Sequence, residues 1–105
     1  MKYSEIINEL IDFRDKRGWK KYHNLKDLAI ALNVEASELL EIFEWKNELS
    51  SKHEKEHLEG EIADILIYAF YICEKIDVDP LTLVYKKIKY NQKRHWNFDK
   101  EDSNE

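Results

Sequence analysis

Apolar residues recur at helical rather than alternating spacing along most of this chain. Only two glycines and one proline interrupt the pattern, which therefore predicts an all-α fold, a four-helix bundle. Gly18 stops the first helix, Asn24 is a suitable N-cap for the second, and Asp79 followed by Pro80 suits the start of the last. The approximate bounds of the four predicted helices are 4–17, 25–45, a start within 46–61 to 75, and 79–94.

The third predicted helix contains the most apolar stretch of the chain, "IADILIYAFYIC", from Ile62 to Cys73. Asp64 is the single charged residue within it. A buried carboxylate costs on the order of several kcal/mol unless it is paired, protonated or bound to a metal. The pattern therefore predicts a partner for Asp64. It also predicts that a helix apolar on nearly every side needs more cover than three neighbours provide.

Two carboxylate pairs share one spacing, Glu35-x-x-Glu38 in "EASE" and Glu61-x-x-Asp64 in "EIAD". Residues three apart lie about 60 degrees from each other around a helix, so each pair points to one side. Both pairs lie on or beside apolar stripes, and we expect these stripes to pack against each other. The four carboxylates would then repel one another unless protons or a cation compensated them.

A divalent cation is the economical compensation for such a cluster. Oxygen ligands without His or Cys favour Mg²⁺ or Mn²⁺ over zinc, and Mg²⁺ commonly links protein carboxylates to substrate phosphates. A solvated helix face explains either pair taken alone. Both pairs on apolar stripes, with Asp64 inside an uncharged run, favour the metal site.

The order of these pairs and their flanking sequences resembles the MazG-like superfamily of all-α nucleoside triphosphate pyrophosphohydrolases. The resemblance covers about residues 19–94 and is closest to the single-domain, dCTP pyrophosphatase-like branch. It rests on "RGWKKYHNLKDLAIAL", "EASELLEIFEW", "EIADILIYAFYI" and Lys87-x-x-x-Asn91-x-x-Arg94.

This resemblance implies hydrolysis of a nucleoside triphosphate between the α and β phosphorus atoms, with Mg²⁺ or Mn²⁺ as cofactor. The products would be a monophosphate and pyrophosphate, the preferred substrate dCTP-like, and the role the cleansing of the nucleotide pool. The family also implies a homodimer or homotetramer. By position, the catalytic and metal-binding residues would be Glu35, Glu38, Glu61 and Asp64.

Aromatic residues flank the second helix and are candidates for binding the nucleobase. In the resembled branch, aromatic residues and a histidine at the positions of Trp19, Tyr22, His23 and Trp45 form the base pocket; ordinary packing at helix ends is the alternative. Tyr68 lies one turn beyond Asp64 and is a candidate contact to the sugar or phosphate, or else a core tyrosine.

Three donors on the last helix are candidates for binding the phosphates. Lys87, Asn91 and Arg94 are spaced i, i+4 and i+7 and share one face, where a guanidinium can bind phosphate oxygens bidentately. A basic helix end that complements the helix dipole is the alternative. The stretch "KKIKYNQKRHW" also suggests contact with nucleic acid, but the net charge of -5 disfavours it.

Other readings explain the sequence less well. Phosphoribosyl-ATP pyrophosphohydrolases carry the same carboxylate signature, but the aromatic residues favour a nucleobase pocket. A non-catalytic helical interaction module would have no need of four such carboxylates. The segment "HEKEH" at 53–57 matches the zinc-protease pattern H-E-x-x-H, yet its setting is polar and no convincing third ligand follows.

Length and composition complete the picture. A chain of 105 residues supports one domain, predicted over 1–96, with 97–105 as a loose acidic tail. The single cysteine, Cys73, cannot form an internal disulfide and is expected to be a buried thiol. No signal peptide or membrane-spanning run is evident, so the expected location is the cytoplasm, with no membrane partner.

Overall fold

Four α-helices and one short 3₁₀ helix make up the part of the chain that the computed structural model describes, residues 1–95. Within that range there is no β-strand, so the prediction of an all-α fold is confirmed. The predicted tail, 97–105, and Trp96 lie outside the described residues. The helices are α1 (Tyr3–Lys16), α2 (Leu25–Glu41), α3 (Lys52–Lys75) and α4 (Pro80–Lys93), with the 3₁₀ helix at Lys20–Tyr22.

Side-chain caps fix where three of the helices begin. The Asn24 side chain accepts a hydrogen bond from the backbone N–H of Asp27 at 2.9 Å, and Asp79 accepts one from Thr82 at 2.8 Å. Ser51 caps α3 in the same way. Each cap satisfies a backbone donor that has no partner inside the helix, which is why these residues set the register of α2, α3 and α4.

The second helix is shorter than predicted. It ends at Glu41, and residues 42–45 form a turn instead of continuing the helix. The apolar spacing continues to Trp45, but this residue has a φ of 72°, in the left-handed region. Lys46, next in the chain, pairs with Glu54 in the first turn of α3, so that the connection is held to the helix that follows it.

The core lies mainly between α2 and α3, and α1 packs on α3 to a smaller extent. Tyr71 of α3 joins α1 through its hydroxyl group, which donates to the carbonyl oxygen of Leu10 at 2.8 Å. Cys73 is buried, as predicted. The buried apolar residues are Ile7, Leu28, Ile42, Tyr71 and Cys73.

The last helix packs differently from the other three. It makes few contacts with α1, α2 or α3, and every residue from 81 to 90 is exposed, although several are large and apolar. Part of α3 is also open, since Ile62 and Leu66 are exposed. Across residues 1–95, no helix combines the length and apolarity that crossing a membrane requires.

Candidate metal site and aromatic cavity

The packing of α2 on α3 brings three carboxylates together. One ligand oxygen each from Glu35, Glu38 and Glu61 lies within 4.8 Å of the other two. Glu35 and Glu38 lie one turn apart on α2, and Glu61 reaches them from α3. Three oxygens at this spacing can coordinate one divalent cation, and the carboxylates therefore fit the oxygen ligand set that Mg²⁺ or Mn²⁺ prefers.

The electrostatics of the cluster show how strongly these groups affect one another. Burial, a hydrogen bond with Asp64 and the charges of Glu38 and Glu61 together raise the pKa of Glu35 from 4.5 to about 7. Burial and then Glu38 raise the pKa of Glu61 as well. Without a cation, the cluster therefore retains a proton near neutral pH, which is the expected response of like charges held close together.

The buried carboxylate of α3 is Glu61, and the expectation that Asp64 would be buried is wrong. Glu61 is 6% exposed, whereas Asp64 is exposed. Asp64 borders a cavity of about 140 Å³ rather than packed side chains, which explains its exposure. It still contacts Glu35, so both predicted pairs meet at one place.

One histidine of the rejected H-E-x-x-H segment lies beside this cluster. Nε2 of His57 is 3.7 Å from Oε2 of Glu61, although the His57 side chain itself is exposed. The spacing i, i+4 between the two residues was the sequence signal for this proximity. His57 is not among the residues whose ligand atoms converge.

An aromatic cavity of about 360 Å³ opens between the start of α2 and the middle of α3. Trp19, His23 and Tyr68 line both this cavity and the smaller one that Asp64 borders. Burial raises the pKa of the Tyr68 phenol, and the charges of Glu35 and Asp64 add to this effect. The aromatic cavity therefore leads towards the carboxylate cluster. Its lining residues are Trp19, Tyr22, His23, Asp27, Leu28, Ala31 and Tyr68.

His23 is the buried polar residue of this cavity. It is 9% exposed, and its Nδ1 atom has no hydrogen-bond partner among the residues described. Its ring meets that of Tyr71 edge to face, with the centroids 4.5 Å apart. Burial, followed by the positive charges of Arg14 and Lys75, lowers the pKa of the imidazole, which is therefore neutral at pH 7.

The structure does not bring the remaining predicted residues to this site. Trp45 is 95% exposed and lines neither cavity. Lys87, Asn91 and Arg94 lie on or just after α4, which packs little on the helices that carry the carboxylates. Lys87 and Arg94 are both close to the ring of Tyr90.

Two residues that the sequence analysis passed over are adjacent to the cavity or to His23. Asp27 lines the aromatic cavity while its carboxylate accepts a hydrogen bond from the Asn24 side chain at 2.8 Å. Arg14 is buried in α1. Its position seven residues after Ile7, on the same helix face, was a usable signal for burial.

Comparison with known proteins connects this geometry to a family. The family model described as the MazG-like family matches residues 30–105. Over 90 residues, the chain is 31% identical to dCTP pyrophosphatase 1 of Homo sapiens, 32% to that of Bos taurus and 30% to that of Rattus norvegicus. These matches cover 80% of this chain but only 53% of each relative, so the chain spans about half their length.

The fold also matches a solved structure. A pyrophosphatase from Archaeoglobus fulgidus superposes with a TM-score of 0.76 at 41% sequence identity. The match covers 85% of this chain and 87% of that one. At this identity the likeness extends beyond fold alone, and it agrees with the four-helix arrangement predicted for this chain.

The raised pKa of Glu35 predicts how the stability of the metal-free protein depends on pH. Because the folded pKa of about 7 exceeds the ordinary 4.5, the folded state retains a proton that the unfolded chain has already released. The free energy of unfolding should therefore fall as the pH rises from about 4.5 to 7. Urea unfolding in chelator should show a smaller fall in Glu35→Gln and the full fall in the exposed control Glu41→Gln. Equal falls in all three proteins would contradict the cluster's electrostatics.

Proposed function

Since this chain belongs to the MazG-like family, we propose that it is a nucleoside triphosphate pyrophosphohydrolase. It would convert a nucleoside triphosphate, with a dCTP-like substrate preferred, to the monophosphate and pyrophosphate. The observation that carries this proposal is the convergence of the Glu35, Glu38 and Glu61 carboxylates in one cluster. An aromatic cavity lies near it, since Tyr68 lines the cavity and the charges of Glu35 and Asp64 affect its phenol. The names of the dCTP pyrophosphatase relatives and of the archaeal pyrophosphatase support it.

The cluster is the proposed metal site, with Asp64 as its fourth carboxylate. Its convergent oxygens and the raised pKa of Glu35 indicate a centre that favours added positive charge. A Mg²⁺ or Mn²⁺ ion bound here would neutralise the polyphosphate and acidify the attacking water. The protein's own contribution is to hold the carboxylates in place between two packed helices before the substrate arrives.

The aromatic cavity is the proposed nucleobase pocket. Trp19 and Tyr22 offer flat faces on which a base can stack, and the imidazole of His23 forms part of the cavity wall. Tyr68 lines the smaller cavity together with Asp64, and we propose that it contacts the sugar or the first phosphate. A base in this cavity would direct its triphosphate towards the metal site. This arrangement suits a nucleoside triphosphate substrate and an enzyme that cleanses the nucleotide pool.

The phosphate-binding donors of α4 are proposed to come from a second copy of the chain. α4 packs little on its own α2 and α3, and its exposed apolar residues need cover. Lys87, Asn91 and Arg94 would then approach the polyphosphate across the interface of a homodimer or homotetramer. The same assembly is the proposed route by which Trp45 reaches a base.

The metal-site proposal predicts that Glu38→Gln abolishes pyrophosphate release while the protein remains folded. The loss should be at least about 100-fold, because the substitution removes one of the converging ligands. Glu41→Gln, three residues along the same helix and exposed, should retain activity. Pyrophosphate release from dCTP with added Mg²⁺, together with circular dichroism, measures both variants. Full activity in a folded Glu38→Gln protein would refute the site.

The base-pocket proposal predicts that Trp19→Ala raises KM for every nucleotide by more than it lowers kcat. Stacking contributes on the order of 1 to 3 kcal/mol per base and tolerates different bases.

His23→Ala should instead change the ranking among dCTP, dTTP, dUTP and dATP, since unmatched polar groups penalise the wrong base. Steady-state kinetics also test Trp45→Ala, for which we expect a raised KM. An unchanged KM in either Trp variant would show that this residue does not contact the base.

The assembly proposal predicts that two inactive variants restore activity when they are combined. In a mixed dimer of Glu38→Gln with Lys87→Ala, one site receives intact carboxylates from one copy and an intact Lys87 from the other. Co-refolding the variants should therefore recover turnover, whereas refolding each alone should not. Sedimentation measures whether the wild-type chain dimerises, and native mass spectrometry distinguishes the mixed dimer from the two homodimers by its mass. A monomeric wild-type chain, or mixed dimers without recovered turnover, would contradict a shared site.

A further inference from the structure

Trp45 has a backbone conformation that bulky residues rarely adopt. Its φ is 72°, and it is the third residue of a turn in which the backbone N–H of Lys46 donates to the carbonyl oxygen of Phe43 at 3.0 Å. Glycine is the usual residue at this position of a turn, because a positive φ there strains a residue that has a Cβ atom. Within residues 1–95, the only other non-glycine residue with a positive φ is Asp77, a type that tolerates this region better.

The tryptophan side chain gains little packing in return for this strain. It is 95% exposed and lines neither of the cavities beside the carboxylate cluster. A strained residue persists only where its surroundings hold it in place, and such residues concentrate at binding and catalytic sites. Two questions follow, namely what holds the turn at Trp45 and what its exposed indole contacts.

The residue after Trp45 is tied to the first turn of α3 through a network of side-chain bonds. Nζ of Lys46 donates to Oγ of Ser50 at 3.0 Å and pairs with Oε2 of Glu54. The other carboxylate oxygen of Glu54, Oε1, accepts from the backbone N–H and the hydroxyl group of Ser50 at 2.7 and 2.8 Å. Both oxygens of the carboxylate therefore hold the turn against α3. These three residues, Lys46, Ser50 and Glu54, form the turn clamp.

The turn clamp differs from an ordinary surface ion pair. Lys46 and Glu54 are partly shielded from water, whereas Lys55 and Glu59, paired at 3.7 Å on the same helix, are exposed. Isolated exposed pairs contribute little, but a network of charge-assisted hydrogen bonds fixes geometry. The hydrogen bonds from Lys46 and then from Ser50 lower the pKa of Glu54 to about 2, so its carboxylate is charged at neutral pH.

We propose that the turn clamp is a positioning device, which fixes the left-handed turn at Trp45 and so presents the indole, already oriented, to a nucleobase bound by a neighbouring copy of the chain. An aromatic ring on a mobile loop would lose conformational freedom when it stacked on a base, and fixing the loop beforehand removes that cost. The clamp would thereby strengthen substrate binding without touching the reacting phosphates. The part that concerns the nucleobase and the second copy rests on the function proposed above.

Backbone amide NMR relaxation of the ligand-free protein tests the clamp without reference to activity. The order parameter at Trp45 should be about 0.85 in the wild type, as in rigid backbone, and should fall towards about 0.6 in Glu54→Gln and in Lys46→Met. Glu59→Gln, which removes the exposed ion pair of the same helix, should leave it unchanged. An unchanged order parameter at Trp45 in the clamp variants would overturn the proposal. An equal fall at Trp19, outside the turn, would show general loosening and would also overturn it.

Steady-state kinetics test whether the clamp acts through the tryptophan. Glu54→Gln should raise KM for dCTP by no more than Trp45→Ala does, while kcat changes little. In the protein that carries both substitutions, KM should equal that of Trp45→Ala alone, because the clamp then has no indole to position. KM increases that multiply in the double variant would show that Glu54 acts elsewhere and would overturn the proposal. An unchanged KM in Glu54→Gln would refute the nucleobase part.

The two measurements fail separately. Lost order at Trp45 in the clamp variants, combined with no hydrolysis of any nucleotide by the wild type, would refute the proposed function and leave the fixing of the turn standing. Hydrolysis by the wild type, combined with unchanged order at Trp45 in the clamp variants, would sustain the function and overturn this inference.

Discussion

The mutual repulsion of the carboxylates between α2 and α3 is the main physical constraint on this molecule. Glu35, Glu38 and Glu61 point into the same small volume at the very interface that supplies most of the helix packing. The apolar residues of that interface hold the acids together. The raised pKa of Glu35 reflects the resulting burial and electrostatic repulsion. A fold that keeps such an arrangement gains from it only when a proton or a cation compensates the charge.

Charged and apolar residues are distributed unevenly around the carboxylate cluster. The aromatic cavity beside it is largely apolar, with His23 kept neutral by burial and nearby positive charge. Helix α4 contains four lysines and no Asp or Glu, in contrast to the acidic chain as a whole. A polyphosphate requires metal and cationic donors at one end, and a base requires a flat apolar surface at the other. In the proposed function, the carboxylates, the lysines of α4 and the aromatic cavity would meet these requirements, although α4 packs little on α2 or α3 within one copy of the chain.

Helical periodicity and capping chemistry predicted most of the fold. Asn24 and Asp79 begin their helices as expected, because caps depend on local geometry alone. The end of α2 was predicted too late, since an apolar residue such as Trp45 fits the helical spacing equally well when it is exposed in a turn. The helical spacing of the residues also could not predict which carboxylate of α3 is buried. Glu61 and Asp64 share one side of the helix, and only the open cavity beside Asp64 distinguishes them.

In the proposed function, the carboxylates between α2 and α3 bind one divalent cation. Electron paramagnetic resonance of Mn²⁺ titrated into metal-free protein measures this directly, because bound and free Mn²⁺ give different signals. We predict one saturable site per chain, strongly weakened in a folded Glu61→Gln variant and preserved in Glu59→Gln, an exposed control on the same helix. Equal Mn²⁺ binding by the wild type and Glu61→Gln would contradict the account.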